Sequence, residues 1–270
     1  MKKICCILLF CAPILREAIW AQKTTEFIPT GVLTNPIEKE GWELIWGDEF
    51  DGSVFDSIKW WAQTGTHGTE LQYYTPRKEN VFVADGLLHI RALREQLIDT
   101  LSYTSGNVFS SIVFGKGHYI EIRCKIPKGR GLWPAFWFWS GGVKKYQEID
   151  AFEYWCDDTR RFSVANYWQD TTTQKVESAF IWIRPRSEQG KRLDMSMEFA
   201  TYAVYWDDNG VRYLLNNRLV AQFKDNVPPD PFNIILNLAI YGEKGRQPTA
   251  KTIFPAEFLI DYVRVYKRKI

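Results

Sequence analysis

Tyr202-Ala203-Val204-Tyr205-Trp206-Asp207-Asp208-Asn209-Gly210-Val211-Arg212-Tyr213-Leu214-Leu215 is the stretch that sets the fold class. Two β-branched and aromatic runs flank Asp-Asp-Asn-Gly, residue types that tolerate the left-handed backbone of a tight hairpin. The pattern predicts antiparallel strands over Tyr202–Trp206 and Val211–Leu215. Tyr119–Ile126 and Phe258–Tyr266 have the same character, and clusters such as Pro228-Pro229-Asp230-Pro231 punctuate the chain. No dozen-residue window carries a sustained helical stripe; Arg91–Asp99 is the best short helical candidate. No repeat, low-complexity tract or linker divides residues 22–270. Short strands in succession predict an all-β jelly-roll sandwich of two antiparallel sheets, folded as one domain over 22–270.

Composition narrows the function classes. The 270 residues carry 34 Lys+Arg against 32 Asp+Glu, a net charge of +2 that gives no basic field for nucleic acid. Aromatic residues reach 16%, a load that must fill a core or line a surface that stacks on something flat. Lys2 and Lys3 precede an apolar run over Ile4–Leu15, and Ala18-Ile19-Trp20-Ala21 follows. This layout predicts a secretory signal peptide over 1–21 and a secreted or periplasmic protein. The apolar run is too short for a membrane span. Cys11 offers a lipid-anchored alternative, although bulky Phe10 stands where a small residue is expected. Cys124 and Cys156 then remain, either as a pair or as two buried small hydrophobes. Neither has zinc-site spacing. His89 and His118 read as surface or turn residues, with His67, beside Glu70, open to a cleft contact.

Glu148-Ile149-Asp150-Ala151-Phe152-Glu153 is the segment that points to chemistry. Strand alternation puts Glu148 and Asp150 on one face, and Glu153 on the other. A single β-bulge between Asp150 and Glu153 would return Glu153 to the first face. Two readings follow: an exposed acidic edge strand, or a carboxylate pair for glycoside hydrolysis tuned by a third acid. Upstream, Trp133 and Trp137 lie four apart in Trp-Pro-Ala-Phe-Trp and share a strand face. Such a pair beside acids suits sugar rings, whose C–H faces stack on aromatics. Trp139, Trp155, Trp182 and Trp206 read instead as core.

Lys128-Gly129-Arg130-Gly131-Leu132-Trp133-Pro134-Ala135-Phe136-Trp137, followed by the acidic segment, closely resembles glycoside hydrolase family 16. It is most similar to the laminarinase-type branch, whose E-x-D-x-x-E motif carries the bulge. Glu70-Leu71-Gln72-Tyr73-Tyr74-Thr75, Tyr103-Thr104-Ser105-Gly106 and Ile260–Tyr266 extend the resemblance over Trp42 to Tyr266. The resemblance implies a jelly roll with a concave substrate cleft and a retaining endo-β-glycosidase that needs no catalytic cofactor. It makes Glu148 the nucleophile, Glu153 the general acid and base, and Asp150 the residue that holds their pKa values apart. A retaining pair requires carboxyl groups about 5–5.5 Å apart. Trp133, Trp137 and Glu70 match sugar-contacting positions. Family members often carry a structural calcium, for which Asp261, Glu49 and the Gly86 carbonyl are the matching ligands. The alternative is that Asp261 pairs with an arginine such as Arg264.

The partner implied is a polysaccharide or oligosaccharide, bound by a monomer, most simply a β-1,3 or mixed-linkage β-glucan. Three departures from the family pattern keep the substrate open: Lys144-Lys145-Tyr146-Gln147, Ala165-Asn166-Tyr167-Trp168 and Gly106-Asn107. Asn107, Asn166 and Trp168 are the sugar-binding candidates there. Cleavage of β-galactans or lactosamine-type glycans, transglycosylation, and non-catalytic glycan binding are the alternatives.

Overall fold

The computed structural model describes residues 22–23, 36–139 and 145–269. The expected signal peptide over 1–21 and Lys144 lie outside them. Two large antiparallel sheets pack face to face as a jelly-roll sandwich, and no helix occurs among the described residues. One sheet has seven strands, in the order Val176–Ile183, Phe162–Gln169, Gln147–Glu153, Leu132–Trp139, Phe232–Ile240, Asn107–Phe114 and Trp60–Ala62. The other has nine, centred on His118–Lys125 and Ala256–Arg268. A short parallel pair, Gln72–Tyr74 with Tyr103–Ser105, caps the end of the seven-stranded sheet near Ile240.

The hairpin forms where the sequence places it. Ala200–Asp207 pairs with Gly210–Leu215, Asp207 opposite Gly210. Gly210 has φ 125°, and a Cβ there would sit 2.4 Å from the Phe223 carbonyl oxygen, so only glycine fits. Arg91–Asp99 is not helical: Arg91 and Ala92 finish the strand Leu87–Ala92, and Leu93 bridges Thr104. Its side chains pair across strands rather than along one face of a helix.

Between the sheets lies a core rich in rings, including Trp60, Phe136, Phe138, Phe152, Tyr202 and Trp206, all essentially inaccessible. Cys124 and Cys156 are buried free thiols within it, so the small-hydrophobe reading is the one the structure follows. Tyr213, from the nine-stranded sheet, donates to the Ala165 carbonyl at 2.9 Å and so ties the two layers. Residues of the seven-stranded sheet that do not enter this core form its outward face. The site lies there.

Candidate active site

Cross-strand register assembles the acids. Glu148, Asp150 and Glu153 lie opposite Trp139, Trp137 and Ala135 on one neighbouring strand. They lie opposite Tyr167, Ala165 and Ser163 on the other. Both neighbours step by two while the acidic strand steps by two and then three. The extra residue is a bulge between Asp150 and Glu153. Ile149, Ala151 and Phe152 turn into the core, and all three carboxylates share the outward face.

No ion pair with Lys or Arg forms at these acids among the described residues, and their partners are neutral donors. Trp133 donates its indole N–H to Glu153 Oε1 at 3.0 Å, and Ser163 Oγ donates to Glu153 Oε2 at 3.4 Å. Tyr146 donates its hydroxyl to Glu148. Burial is the main cause that raises all three pKa values. Burial pushes Asp150 well up, and the charges of Glu148 and Glu153 add to the rise. Hydrogen bonds from Tyr146 and Asp150 oppose the rise at Glu148 and favour its ionised form. Glu153 is pushed up to about 7, by burial and then by the Glu148 charge, against the bonds from Trp133 and Ser163. Glu148 is likewise pushed up to about 7, so the two glutamates are raised alike and the row titrates as one coupled set.

On one side of the acids the face is polar. Trp137 donates its indole N–H to Asn237 Oδ1 at 2.9 Å, and Asn237 donates to the Tyr74 hydroxyl at 3.0 Å. Glu70 accepts from Gln72 at 2.5 Å, and burial raises its pKa to about 7. Asn107 stands opposite Asn237 but is buried, donating to Gln63 at 2.7 Å. His67 contacts the same Gln63 at 3.0 Å, and burial lowers its pKa. On the other side the face is aromatic. Trp133 stacks on Trp155, ring centroids 6.0 Å apart, and Trp155 meets Trp182 at 4.9 Å.

Several expectations need correction. Asn166 and Trp168 do not reach the acid face. Asn166 lies opposite Ile149 and accepts from Tyr213 in the core, and Trp168, two residues on, shares that side. Tyr167 between them is the residue opposite Glu148. Trp139, Trp155 and Trp182 are half-buried on the outward side rather than core, since alternation places Trp139 and Trp182 there; Trp206 alone of the four is core. His89 is a buried strand residue 3.3 Å from Glu257, not a surface one. Sequence reasoning missed Asn237, Ser163, Gln72 and the role of Tyr146. Tyr146 had a signal, since it precedes Glu148 by two and so shares its face, and Gln72 stands two residues after Glu70 in the motif already quoted.

The residues expected at a calcium do not fit one. Glu49 accepts two bonds from Arg264, both at 2.8 Å, and Asp261 accepts from Arg123 at 2.5 Å. Each carboxylate is already neutralised by a guanidinium, and the partner of Asp261 is Arg123, not Arg264. Gly86, φ 71°, is the second residue of the Asp85-Gly86 hairpin turn. A divalent cation would have to displace two arginines.

A model of glycosyl hydrolases family 16 matches residues 69–253, which contain the three acids and the tryptophan strand. The chain belongs to this family. Its family 16 relatives include the beta-glucanase of Rhodothermus marinus, 31% identical over 84% of this chain and 85% of the relative. The glucan endo-1,3-beta-glucosidase A1 of Niallia circulans is 28% identical over 90% of this chain, which spans only 40% of that longer protein. Among solved family 16 folds, the laminarinase catalytic domain of Thermotoga maritima superposes with a TM-score of 0.75 at 32% identity. That match covers 86% of this chain and 100% of that one. A chain described with endo-acting O-glycanases of the human gut microbiota that initiate mucin breakdown gives 0.74 at 27% identity, covering 85% and 92%.

Proposed function

We propose that this family 16 glycoside hydrolase is a retaining endo-β-glycosidase that cleaves β-1,3 or mixed-linkage β-glucan. The single observation that carries the chemistry is the bulge. It aligns three carboxylates in one row with neutral partners only, a costly arrangement for a merely structural strand. The substrate reading is supported by the relatives named beta-glucanase and laminarinase.

In the mechanism, Glu148 attacks the anomeric carbon as the glycosidic C–O bond breaks. Glu153 gives its proton to the leaving oxygen, and a glycosyl ester on Glu148 results. Glu153, now ionised, takes a proton from water, whose oxygen attacks the same carbon and frees Glu148. Asp150 and Tyr146 hold the Glu148 carboxylate by hydrogen bonds, and Trp133 orients Glu153. This sequence starts from an ionised Glu148 and a protonated Glu153.

Incubation with laminarin, mixed-linkage glucan, agarose-type galactan, keratan sulfate and mucin, with products read by mass spectrometry, tests the proposal. Shortened glucan products with retained anomeric configuration are expected. Products from galactan or mucin alone would move the substrate assignment while leaving the chemistry in place.

A further inference from the structure

We infer that Trp61 is a distal glycan subsite, a stacking platform for a sugar ring far along the groove from the acids. This inference rests on the β-glucan reading above and names a further part of the same groove. Trp61 follows Trp60, which is fully buried in the core and donates its indole N–H to Asp48 Oδ2 at 2.9 Å. Alternation therefore turns Trp61 to the opposite, acid-bearing side of the sheet. There it is 46% exposed.

An exposed indole alone is ordinary. Two observations make this one a site. First, its orientation is fixed: its ring stacks on Phe109 at 4.1 Å with an interplanar angle of 12°. Phe109 is itself buried and lies outside the inter-sheet core, so one face of the indole is occupied and its position set. Second, register places it on the acid row. Asp150 lies opposite Trp137, Trp137 opposite Ile235, Ile235 opposite Phe109, and Phe109 opposite Trp61. At about 4.8 Å per strand step, four steps put Trp61 about 19 Å from Asp150, the length of several sugar rings. Ile235 is buried between Trp137 and Phe109 and fills the floor there.

The row thus runs from the acids to the sheet edge and ends on an indole that is 46% exposed. A β-glucan chain lying across the strands would meet Trp137 near the cleavage point and Trp61 at its far end. A ring that stacks there adds binding only when the chain is long enough to reach it. The contact is the same in ground and transition states, so it acts on KM.

The test is the kinetics of β-1,3-gluco-oligosaccharides from tetra- to octasaccharide, with Trp61→Ala compared to the parent chain. Expected is a loss of about tenfold in kcat/KM on the octasaccharide, carried by KM, against less than about twofold on the tetrasaccharide. Trp61→Tyr should recover most of the loss, and keeps the test available if Trp61→Ala does not fold. A parent enzyme active at every length, whose length dependence survives in Trp61→Ala, overturns the subsite alone. An equal loss at all lengths does the same, since it marks a structural role. A parent chain that cleaves none of these glucans overturns the substrate reading, and this ligand with it.

Discussion

The carboxylates of the two sheets obey opposite rules. On the nine-stranded sheet and its margins, acids meet cations: Glu49 with Arg264, Asp261 with Arg123, Glu257 with Arg91, and fully buried Glu121 with Lys39 at 3.0 Å. On the outward face of the seven-stranded sheet, Glu148, Asp150 and Glu153 have one another, a tyrosine, a tryptophan and a serine. A paired acid is a structural element whose charge is compensated. An acid row without a cation resists ionisation, and its proton becomes available for chemistry. On the proposed mechanism, the difference separates carboxylates that hold the fold from those that act.

That contrast can be broken on the acid row first. Glu148→Gln removes the proposed nucleophile, and hydrolysis of glucan should fall by about 10⁴-fold or more while the folded protein still retains the polymer. Measurable hydrolysis at near-parent rate would remove Glu148 from the mechanism. Glu153→Gln removes the proton donor, with an expected loss of about 10²- to 10⁴-fold on glucan. An aryl glycoside whose leaving group needs no proton should be cleaved with a much smaller loss in its first step. Equal losses on both substrates would deny Glu153 the acid role.

On the other sheet, Lys39→Met leaves Glu121 buried without its cation and should cost about 3 kcal/mol in chemical denaturation. The pH profile of activity should be unmoved, because Glu121 faces away from the groove. Stability against pH sharpens the contrast further. The pKa of Glu153 stands at about 7 rather than the ordinary 4.5, so the folded state binds this proton more tightly than the unfolded chain does. Its contribution is full below about pH 4.5 and is lost as pH rises through 7. Glu153→Gln escapes that loss: it should exceed the parent in stability by about 2 kcal/mol near pH 8 and match it near pH 4. A gain that is the same at both pH values would mean that burial does not strain this acid. The smallest effect expected is that of metal removal. With Glu49 and Asp261 already bound to arginines, a chelator should shift the melting temperature by less than about 1 °C.

Much of the site was legible because strand periodicity is a local rule. It placed Glu148 with Asp150 and Trp133 with Trp137, and the family pattern supplied the bulge that returns Glu153 to their face. The same rule, applied to Ala165-Asn166-Tyr167-Trp168, required knowing which face was outward, and composition could not say. Asn166 and Trp168 went to the wrong side for that reason, by a single residue of phase. The tryptophans failed differently. Trp139 and Trp182 look like core residues, yet they occupy the outward side of a sheet whose inner side was already filled by Phe136, Phe138 and Trp60.

By itself, the sequence determined the all-β class, the hairpin at Asp207–Gly210, the alternation of the acidic strand and the family motif. These are properties of neighbours along the chain. Tertiary structure decided which arginine meets which acid, and that Asn237, more than eighty residues from the acids, supports Trp137. It also decided that Trp61, nearly ninety residues before Asp150, ends the same row. Those facts depend on register between strands distant in sequence, and register is set by how the whole sandwich packs.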